Sequence, residues 1–181
     1  MEFEIKLRIE DPQRIEETLL KLGGEFMGTR VEIDTYFNFD CNGGCCRNFA
    51  ETDEAIRLRL RDSKCILTYK GPRISKEVKA REEIEVEVGD CNAITKILEK
   101  MCLKPVAQVK KKRRYWKLGN ATITIDYVEE LGTFMEIEVV GEDASEARSI
   151  IDDLRRRIAP SSEVVEETYL EMLLKKRGIS L

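Results

Sequence analysis

The sequence contains no histidine. This absence excludes the usual Ser–His and Cys–His nucleophile pairs and removes the commonest zinc ligand. Any acid–base or metal chemistry must therefore rely on carboxylates, lysine or tyrosine. The sequence also lacks a run of roughly 18 apolar residues, the length that a membrane-spanning helix needs, and it begins with neither a basic region nor an apolar run. We therefore expect a soluble, cytoplasmic protein with no membrane partner.

A strong net charge of either sign is also missing. The chain has 31 lysine and arginine residues against 35 aspartate and glutamate residues, a formal net charge of −4. A protein that binds a nucleic-acid backbone needs a basic surplus, so we expect no nucleic-acid partner. Charged residues nevertheless make up 36% of the chain. Two ordinary explanations account for that fraction: a well-solvated surface and the ion-pair enrichment of a thermophile. The arrangement of the charges along the chain is what favours a functional explanation.

The length and the cysteines limit the architecture. A chain of 181 residues is the size of one domain, so we predict a single domain over residues 1–181. Without a signal peptide we expect the six cysteines to be mostly reduced, with Cys91 and Cys102 as buried small residues. A zinc or redox site stays open for the others, although their spacing is not a paired CxxC arrangement. These are Cys41, Cys45, Cys46 and Cys65.

Periodicity predicts mostly strands. Residues 2–9 alternate between charged and apolar side chains, and Asp11-Pro12 then starts a helix that ends at Gly23-Gly24. Further strands are predicted at residues 31–37, 55–61, 65–70, 81–88, 105–117, 121–128 and 133–140, and further helices after Asp90 and near 144–158 and 166–176. Because hairpin turns connect most of the strands, we predict an α+β fold: a closed or nearly closed eight-stranded antiparallel β-barrel with helices packed outside.

Four of these strands carry unusual runs of charge on one face. For any one strand, the ordinary explanation is the wet face of an open sheet. Like charges at i and i+2 lie roughly 7 Å apart and repel, so runs on several strands need counter-charges. If the faces point inward, a polyphosphate with bound Mg²⁺ or Mn²⁺ would supply both signs. The runs are Arg57, Arg59 and Arg61; Lys111 and Arg113; Glu136 and Glu138; and Arg81, Glu83, Glu85 and Glu87.

Seven motifs, in order along nearly the whole chain, resemble those of the CYTH superfamily, also called triphosphate tunnel metalloenzymes. The first, Glu2-x-Glu4-x-Lys6, matches the family's ExExK signature on the first strand. The last two are similar to the second-half pattern and C-terminal helix of class IV adenylyl cyclases. After the first, the motifs are Asp34-Thr35-Tyr36-Phe37, Ile56-Arg57-Leu58-Arg59, Leu67-Thr68-Tyr69-Lys70-Gly71-Pro72, Arg81-Glu82-Glu83-Ile84-Glu85, the stretch from Lys111 through Asp126 to Glu138, and Tyr169-Leu170-Glu171-Met172-Leu173.

The resemblance implies an enzyme that uses Mg²⁺ or Mn²⁺ to act on ATP or another triphosphate. The implied phosphate ligands come from both halves of the chain: Lys6, Arg57, Arg59, Lys70, Arg81, Lys111 and Arg113. The implied metal ligands are Glu2, Glu4, Asp126, Glu136 and Glu138. The implied catalytic residues are Glu2, Glu4, Lys6, Glu85 and Asp126. Lys110, Lys112 and Arg114 point to the other face of their strand, where we expect them to be solvated.

The resemblance favours a class IV adenylyl cyclase, which converts ATP to cyclic AMP and pyrophosphate. Hydrolysis of inorganic, nucleoside or thiamine triphosphate by the same side chains is the alternative. A non-catalytic nucleotide or polyphosphate sensor ranks third, because all the matched carboxylates are present. Packing is the usual explanation for Tyr115 and Trp116 in the basic strand, with stacking on an adenine as the alternative. The number of metal ions and the formation of a homodimer stay open.

Overall fold

The computed structural model describes residues 2–40, 48–73 and 79–179. Within these ranges no helix is both long enough and apolar enough to cross a membrane. The strands are β1 (Glu2–Arg8), β2 (Glu25–Phe39), β3 (Ala55–Arg61), β4 (Lys64–Lys70), β5 (Lys79–Arg81), β6 (Glu83–Val88), β7 (Leu103–Leu118), β8 (Ala121–Val128) and β9 (Gly132–Val140). The helices are α1 (Pro12–Lys21), α2 (Phe49–Thr52), α3 (Cys91–Lys100), α4 (Ala144–Ile158) and α5 (Tyr169–Arg177).

The chain forms two compact units. Unit 1 comprises Met1–Arg30, Ile74–Arg81 and Lys111–Glu166, and unit 2 comprises Val31–Arg73, Glu82–Lys110 and Glu167–Leu181. The two longest strands contribute to both units, because residues 25–30 of β2 and 111–118 of β7 belong to unit 1 and the rest of each strand belongs to unit 2. The prediction of a single domain over residues 1–181 stays a prediction.

Unit 1 is built on antiparallel strands in the order β5, β1, β9, β8 and β7. Alternation along β1 directs Phe3, Ile5 and Leu7 into the core of this unit, where α1 and α4 also bury their apolar stripes. The Asp11 side chain accepts a hydrogen bond from the backbone N–H of Arg14 at 3.0 Å, which caps α1 as the sequence predicts. The charged residues of β1 therefore lie on the face of the sheet that is opposite the core.

Unit 2 is built on antiparallel strands in the order β2, β3, β4 and β6. Its core includes Phe37, Leu58 and Leu98, with the last of these contributed by α3. Asp90 caps that helix by accepting hydrogen bonds from two backbone N–H groups. As in unit 1, packing on one face of the strands leaves their charged side chains on the opposite face.

The α+β class and the antiparallel sheet with packed helices are confirmed. The sheet of each unit, however, is open rather than closed, and the described residues contain nine strands instead of eight. The extra strand arises at Glu82, where the chain changes partners: residues up to Arg81 pair with β1, whereas residues from Glu83 pair with β4. A continuous charge alternation over 81–88 does not reveal such a change of partner.

The expectation of reduced cysteines is wrong for one pair. Cys65, at the start of β4, forms a disulfide with Cys91 at the start of α3, with the two Cα atoms 5.5 Å apart. Cys102 was predicted to be buried but is exposed and has a free thiol. The candidate zinc or redox site involving Cys41, Cys45 and Cys46 lies outside the described residues. The disulfide joins a strand and a helix that already share the core of unit 2.

Replacing both Cys65 and Cys91 with alanine should lower the free energy of unfolding by about 3 kcal/mol, because the bond closes a loop of 26 residues in the unfolded chain. Urea denaturation of the oxidised proteins measures the difference. Cys102→Ser is the control and should change little, since that thiol is exposed and unbonded. Identical urea midpoints for the double variant and the parent would contradict the expected stabilisation.

Candidate active site

One face of the unit 1 sheet gathers charged residues from neighbouring strands. The pairing of β1 with β9 aligns Lys6 with Glu136 and Glu4 with Glu138. Directly opposed side chains in an antiparallel pair have Cβ atoms about 5 Å apart, so these groups are neighbours. We call this surface the carboxylate face. It carries Glu2, Glu4, Lys6, Arg81, Lys111, Arg113, Asp126, Glu136 and Glu138.

Arg113 links two of these carboxylates. Its Nε donates a hydrogen bond to Asp126 Oδ1 at 2.6 Å, and its Nη2 donates to both Asp126 and Glu136. On the other side of Glu136, Lys6 Nζ lies 3.6 Å from Oε1. All four side chains are buried. Glu136 is therefore held between two cations in a site from which water is largely excluded, where charge interactions are strong.

Glu138 lies in a different environment within the same face. Burial, followed by the negative charges of Glu2, Glu4 and Glu136, raises the pKa of Glu138 to about 7, against the opposing effect of Arg113. Carboxylates brought together in this way repel one another unless a cation or a proton intervenes. A hard divalent cation bound by carboxylate oxygens would relieve the repulsion, so this donor set fits Mg²⁺ or Mn²⁺.

Among the described residues, the carboxylate face does not already have the geometry of a complete metal site. Within residues 2–40, 48–73 and 79–179, no three carboxylate or cysteine side chains already surround a single point as metal ligands do. Asp126 is already engaged in a bidentate ion pair with Arg113. The metal-ligand roles of Glu2, Glu4, Asp126, Glu136 and Glu138 therefore stay predictions, supported by their common face and by the raised pKa of Glu138.

A second charged face lies on the sheet of unit 2, and we call it the arginine face. Pairing of β2 with β3 aligns Asp34 with Arg59 and Tyr36 with Arg57, and the next strands align Arg57 with Thr68 and Thr68 with Glu85. The residues of this face are Glu32, Asp34, Tyr36, Arg57, Arg59, Arg61, Thr68, Lys70, Glu83 and Glu85. Three of the predicted phosphate ligands are therefore neighbours on it.

Two of the basic side chains are held by hydrogen-bonded carboxylates. Arg59 forms a bidentate pair with Asp34, with Nε to Oδ1 at 2.7 Å and Nη2 to Oδ2 at 2.8 Å, and Glu32 lies 3.4 Å from the same Nε. Lys70 pairs with Glu83. Bidentate pairing fixes the plane of a guanidinium, so Arg59 is positioned rather than mobile.

Arg57 keeps an unused donor. Its Nη2 donates to Thr68 at 3.0 Å and to Glu85 at 2.8 Å, but its buried Nε has no hydrogen-bond partner among the described residues. Burial alone would raise the pKa of Glu85, but the hydrogen bond from Thr68 and the charges of Arg57 and Arg59 outweigh it and lower that pKa. A buried guanidinium donor without an acceptor suits an incoming oxyanion such as a phosphate oxygen.

Tyr36 is a residue that sequence reasoning left without a role. Burial and the charge of Asp34 raise the pKa of its hydroxyl to about 12, so it stays a neutral hydrogen-bond donor among the arginines. The same reasoning missed Asp34 as the partner of Arg59 and Glu83 as the partner of Lys70. For Tyr36 and Asp34, the available signal was the period-two alternation of the β2 segment, which places both residues on one side of that strand.

The predicted site residues thus divide between the two faces. Glu85, predicted to be catalytic, lies with the arginines of unit 2, whereas Asp126 and the other acidic site residues lie on unit 1. Lys110 and Lys112 are exposed, as expected for the opposite side of β7. Arg114 differs, because it pairs with Glu16 of α1 and lies 4.6 Å from the ring centre of Phe26.

The sequence profile of the CYTH domain matches residues 1–169. The chain belongs to the CYTH family. A Methanocaldococcus jannaschii protein named "Putative adenylate cyclase" is 36% identical over 176 residues, which span 95% of this chain and 98% of that protein.

Two solved structures of similar proteins share the fold. One, from Pyrococcus horikoshii, is 34% identical with a TM-score of 0.85, and the match covers 98% of this chain and all of that one. The other, a Hippeastrum protein described as revealing a dominant triphosphatase activity, is 20% identical with a TM-score of 0.70, over 100% of this chain and 98% of that one. At that identity the second likeness concerns the fold alone.

Proposed function

We propose that this CYTH protein is a divalent-metal-dependent enzyme that acts on a triphosphate, with the conversion of ATP to cyclic AMP and pyrophosphate as its reaction. The observation that carries the proposal is the carboxylate face, where acidic groups are crowded enough to raise the pKa of Glu138 to about 7 beside buried basic groups. Such a surface favours a ligand that brings both a cation and phosphate oxygens. The name of the 36% identical relative supports the same reaction.

The acidic and the basic side chains would have different roles in such an enzyme. A divalent cation held by the glutamates of the carboxylate face would neutralise phosphate charge and favour ionisation of the attacking hydroxyl. Lys6 and Lys111 are buried cations on that face and would bind phosphate oxygens. Within unit 2, the unused donor of Arg57 also suits a phosphate oxygen. Preorganised cations stabilise charge that develops on a leaving pyrophosphate, because they need no reorientation during the reaction.

Triphosphate hydrolysis is the second candidate. The Hippeastrum protein shares this fold and is described with a dominant triphosphatase activity, so the fold by itself does not favour cyclisation. The two reactions differ in the nucleophile, which is a ribose hydroxyl in one and water in the other.

Analysis of the products distinguishes the reactions. The purified protein should convert ATP to cyclic AMP and pyrophosphate with Mg²⁺ or Mn²⁺, and chelation of the metal should abolish the conversion. Release of inorganic phosphate from ATP or from inorganic triphosphate, without a cyclic product, would make the protein a triphosphatase. Binding of ATP without any product would make it a sensor.

Triphosphate should raise the melting temperature more than monophosphate does at equal concentration. More negative charge contacts more of the basic groups, and tighter binding to the native state stabilises it further. Arg57→Ala should reduce the difference between the two ligands, since it removes a guanidinium with an unused donor. Lys112→Ala, on the exposed opposite side of β7, is the matched control. Equal sensitivity of both variants in a thermal-shift assay would indicate an ordinary solvated surface.

A further inference from the structure

Tyr115 and Trp116 are adjacent in β7 but have different environments. Trp116 is buried in the core of unit 1, with its ring centre 5.1 Å from that of Phe26, so it is a packing residue. Tyr115 points to the opposite side of the strand, which is the carboxylate face, and it is only partly buried. Packing in the core therefore explains the tryptophan, whereas the tyrosine ring lies at the carboxylate face.

Tyr115 belongs to a row of side chains that leads to the proposed metal ligands. Register pairing aligns Tyr115 of β7 with Thr124 of β8, Thr124 with Glu136 of β9, and Glu136 with Lys6 of β1. Directly opposed side chains lie about 5 Å apart at Cβ. An aromatic ring, a hydroxyl and a carboxylate thus follow one another across a single face.

The hydroxyl of Thr124 has no evident structural role. The residue is 4% exposed, and its Oγ1 is buried without a hydrogen-bond partner among the described residues. A buried hydroxyl in this state destabilises the free protein, and a valine of the same shape would avoid the penalty. A ligand that reaches this part of the face would supply the missing partner.

Two guanidinium groups lie close to the ring of Tyr115. The central carbon of Arg30 lies 5.5 Å from the ring centre, and that of Arg113 lies 5.9 Å from it. Aromatic rings and guanidinium planes are the groups on which nucleobases stack. Inorganic triphosphate has neither a base for this ring nor a sugar hydroxyl for Thr124.

We propose that Tyr115, Thr124 and Arg30 form a nucleoside subsite beside Glu136, and that the substrate class is nucleoside triphosphates rather than inorganic triphosphate. The proposal rests on the proposed function, since it places the nucleoside next to the groups assigned to the metal and the phosphates. Thr124 hydrogen-bonds a polar atom of the nucleoside, Tyr115 stacks on the base, and Arg30 holds the ring in place.

Thr124→Val tests the hydroxyl. Calorimetric titration with Mg²⁺ present should give about 5- to 10-fold weaker binding of ATP, the loss expected for one hydrogen bond, and unchanged binding of inorganic triphosphate. Without ligand, the melting temperature of this variant should equal or exceed that of the parent, because an unpartnered buried hydroxyl has been removed. Thr124→Ser keeps a hydroxyl at this position and should bind ATP as tightly as the parent does. A lower melting temperature, or equal losses for both ligands, would make the hydroxyl structural and overturn the proposal.

Tyr115→Leu tests the ring. ATP binding should weaken about 10-fold or more, as expected for loss of base stacking, whereas Tyr115→Phe should bind within about two-fold of the parent. Tyr127→Leu is the matched control: this aromatic residue is 38% exposed and lies on the opposite side of β8 from Thr124. If inorganic triphosphate binds the parent as tightly as ATP does, and Tyr115→Leu weakens the binding of neither ligand, the nucleoside subsite alone would be refuted. A parent that binds neither ligand would refute the proposed function itself.

Discussion

Glu138→Gln should reduce turnover of the triphosphate substrate about 1,000-fold while leaving the unliganded protein at least as stable as the parent. The loss follows because a bound divalent cation contributes several kcal/mol to catalysis, and about 4 kcal/mol corresponds to a thousand-fold. The preserved stability follows from the crowding that raises the pKa of Glu138: a neutral amide removes repulsion with Glu2, Glu4 and Glu136. Steady-state kinetics and thermal unfolding at pH 8 measure the two effects.

Glu17→Gln is the control for this variant. Glu17 is exposed on α1, away from the charged faces of the strands, so both turnover and stability should stay near the parent values. Isothermal titration with Mn²⁺ provides a readout other than activity, and Glu138→Gln should weaken metal binding. Normal metal binding and turnover in Glu138→Gln would remove this residue from the metal site.

The same loss of turnover is expected for Glu4→Gln and for Glu136→Gln, but their stabilities should differ. Glu136 is held between Lys6 and Arg113, so its neutralisation leaves two buried cations with less counter-charge. Neither substitution creates a void, so both variants should keep the fold. Because Glu136→Gln weakens two buried ion pairs, this variant should nevertheless have a lower melting temperature than the parent.

The sequence predicted most of the local structure for identifiable reasons. Strict alternation in residues 2–9 and a capping Asp11 with Pro12 specify β1 and α1, and both are present with the expected faces. The faces of β3, β7 and β9 follow from the same period of two, which is why the basic and acidic candidates are found together on the carboxylate and arginine faces.

What alternation does not encode is which strand lies next to which. The change of partner at Glu82 and the pairing of Arg59 with Asp34 depend on register between distant segments. Likewise, Cys65 and Cys91 are ordinary cysteines in the sequence and become a disulfide only because β4 and α3 share a core. The pKa of Glu138 also depends on neighbours from β1 and β9 that are far apart in the chain.

Arg113→Met should destabilise the protein by about 3–5 kcal/mol, the largest stability effect we expect. The substitution removes the cation that pairs with Asp126, a fully buried carboxylate, and with Glu136. Breaking a buried ion pair by removing one partner costs this much because the other charge is left in a medium that solvates it poorly. Urea denaturation at pH 7 measures the loss.

A surface arginine supplies the control, and a double variant identifies the cause. Arg156 is 74% exposed in its side chain and lies 4.0 Å from Asp153, so Arg156→Met should change stability by no more than about 0.5 kcal/mol. Adding Asp126→Leu to Arg113→Met removes both members of one buried pair and should recover part of the lost stability, since the fully buried carboxylate of Asp126 no longer lies beside an apolar methionine, whereas Glu136 keeps its ion pair with Lys6. If the double variant is less stable than Arg113→Met by the full cost of Asp126→Leu alone, the two losses are additive and the ion pair with Asp126 is not what Arg113 contributes.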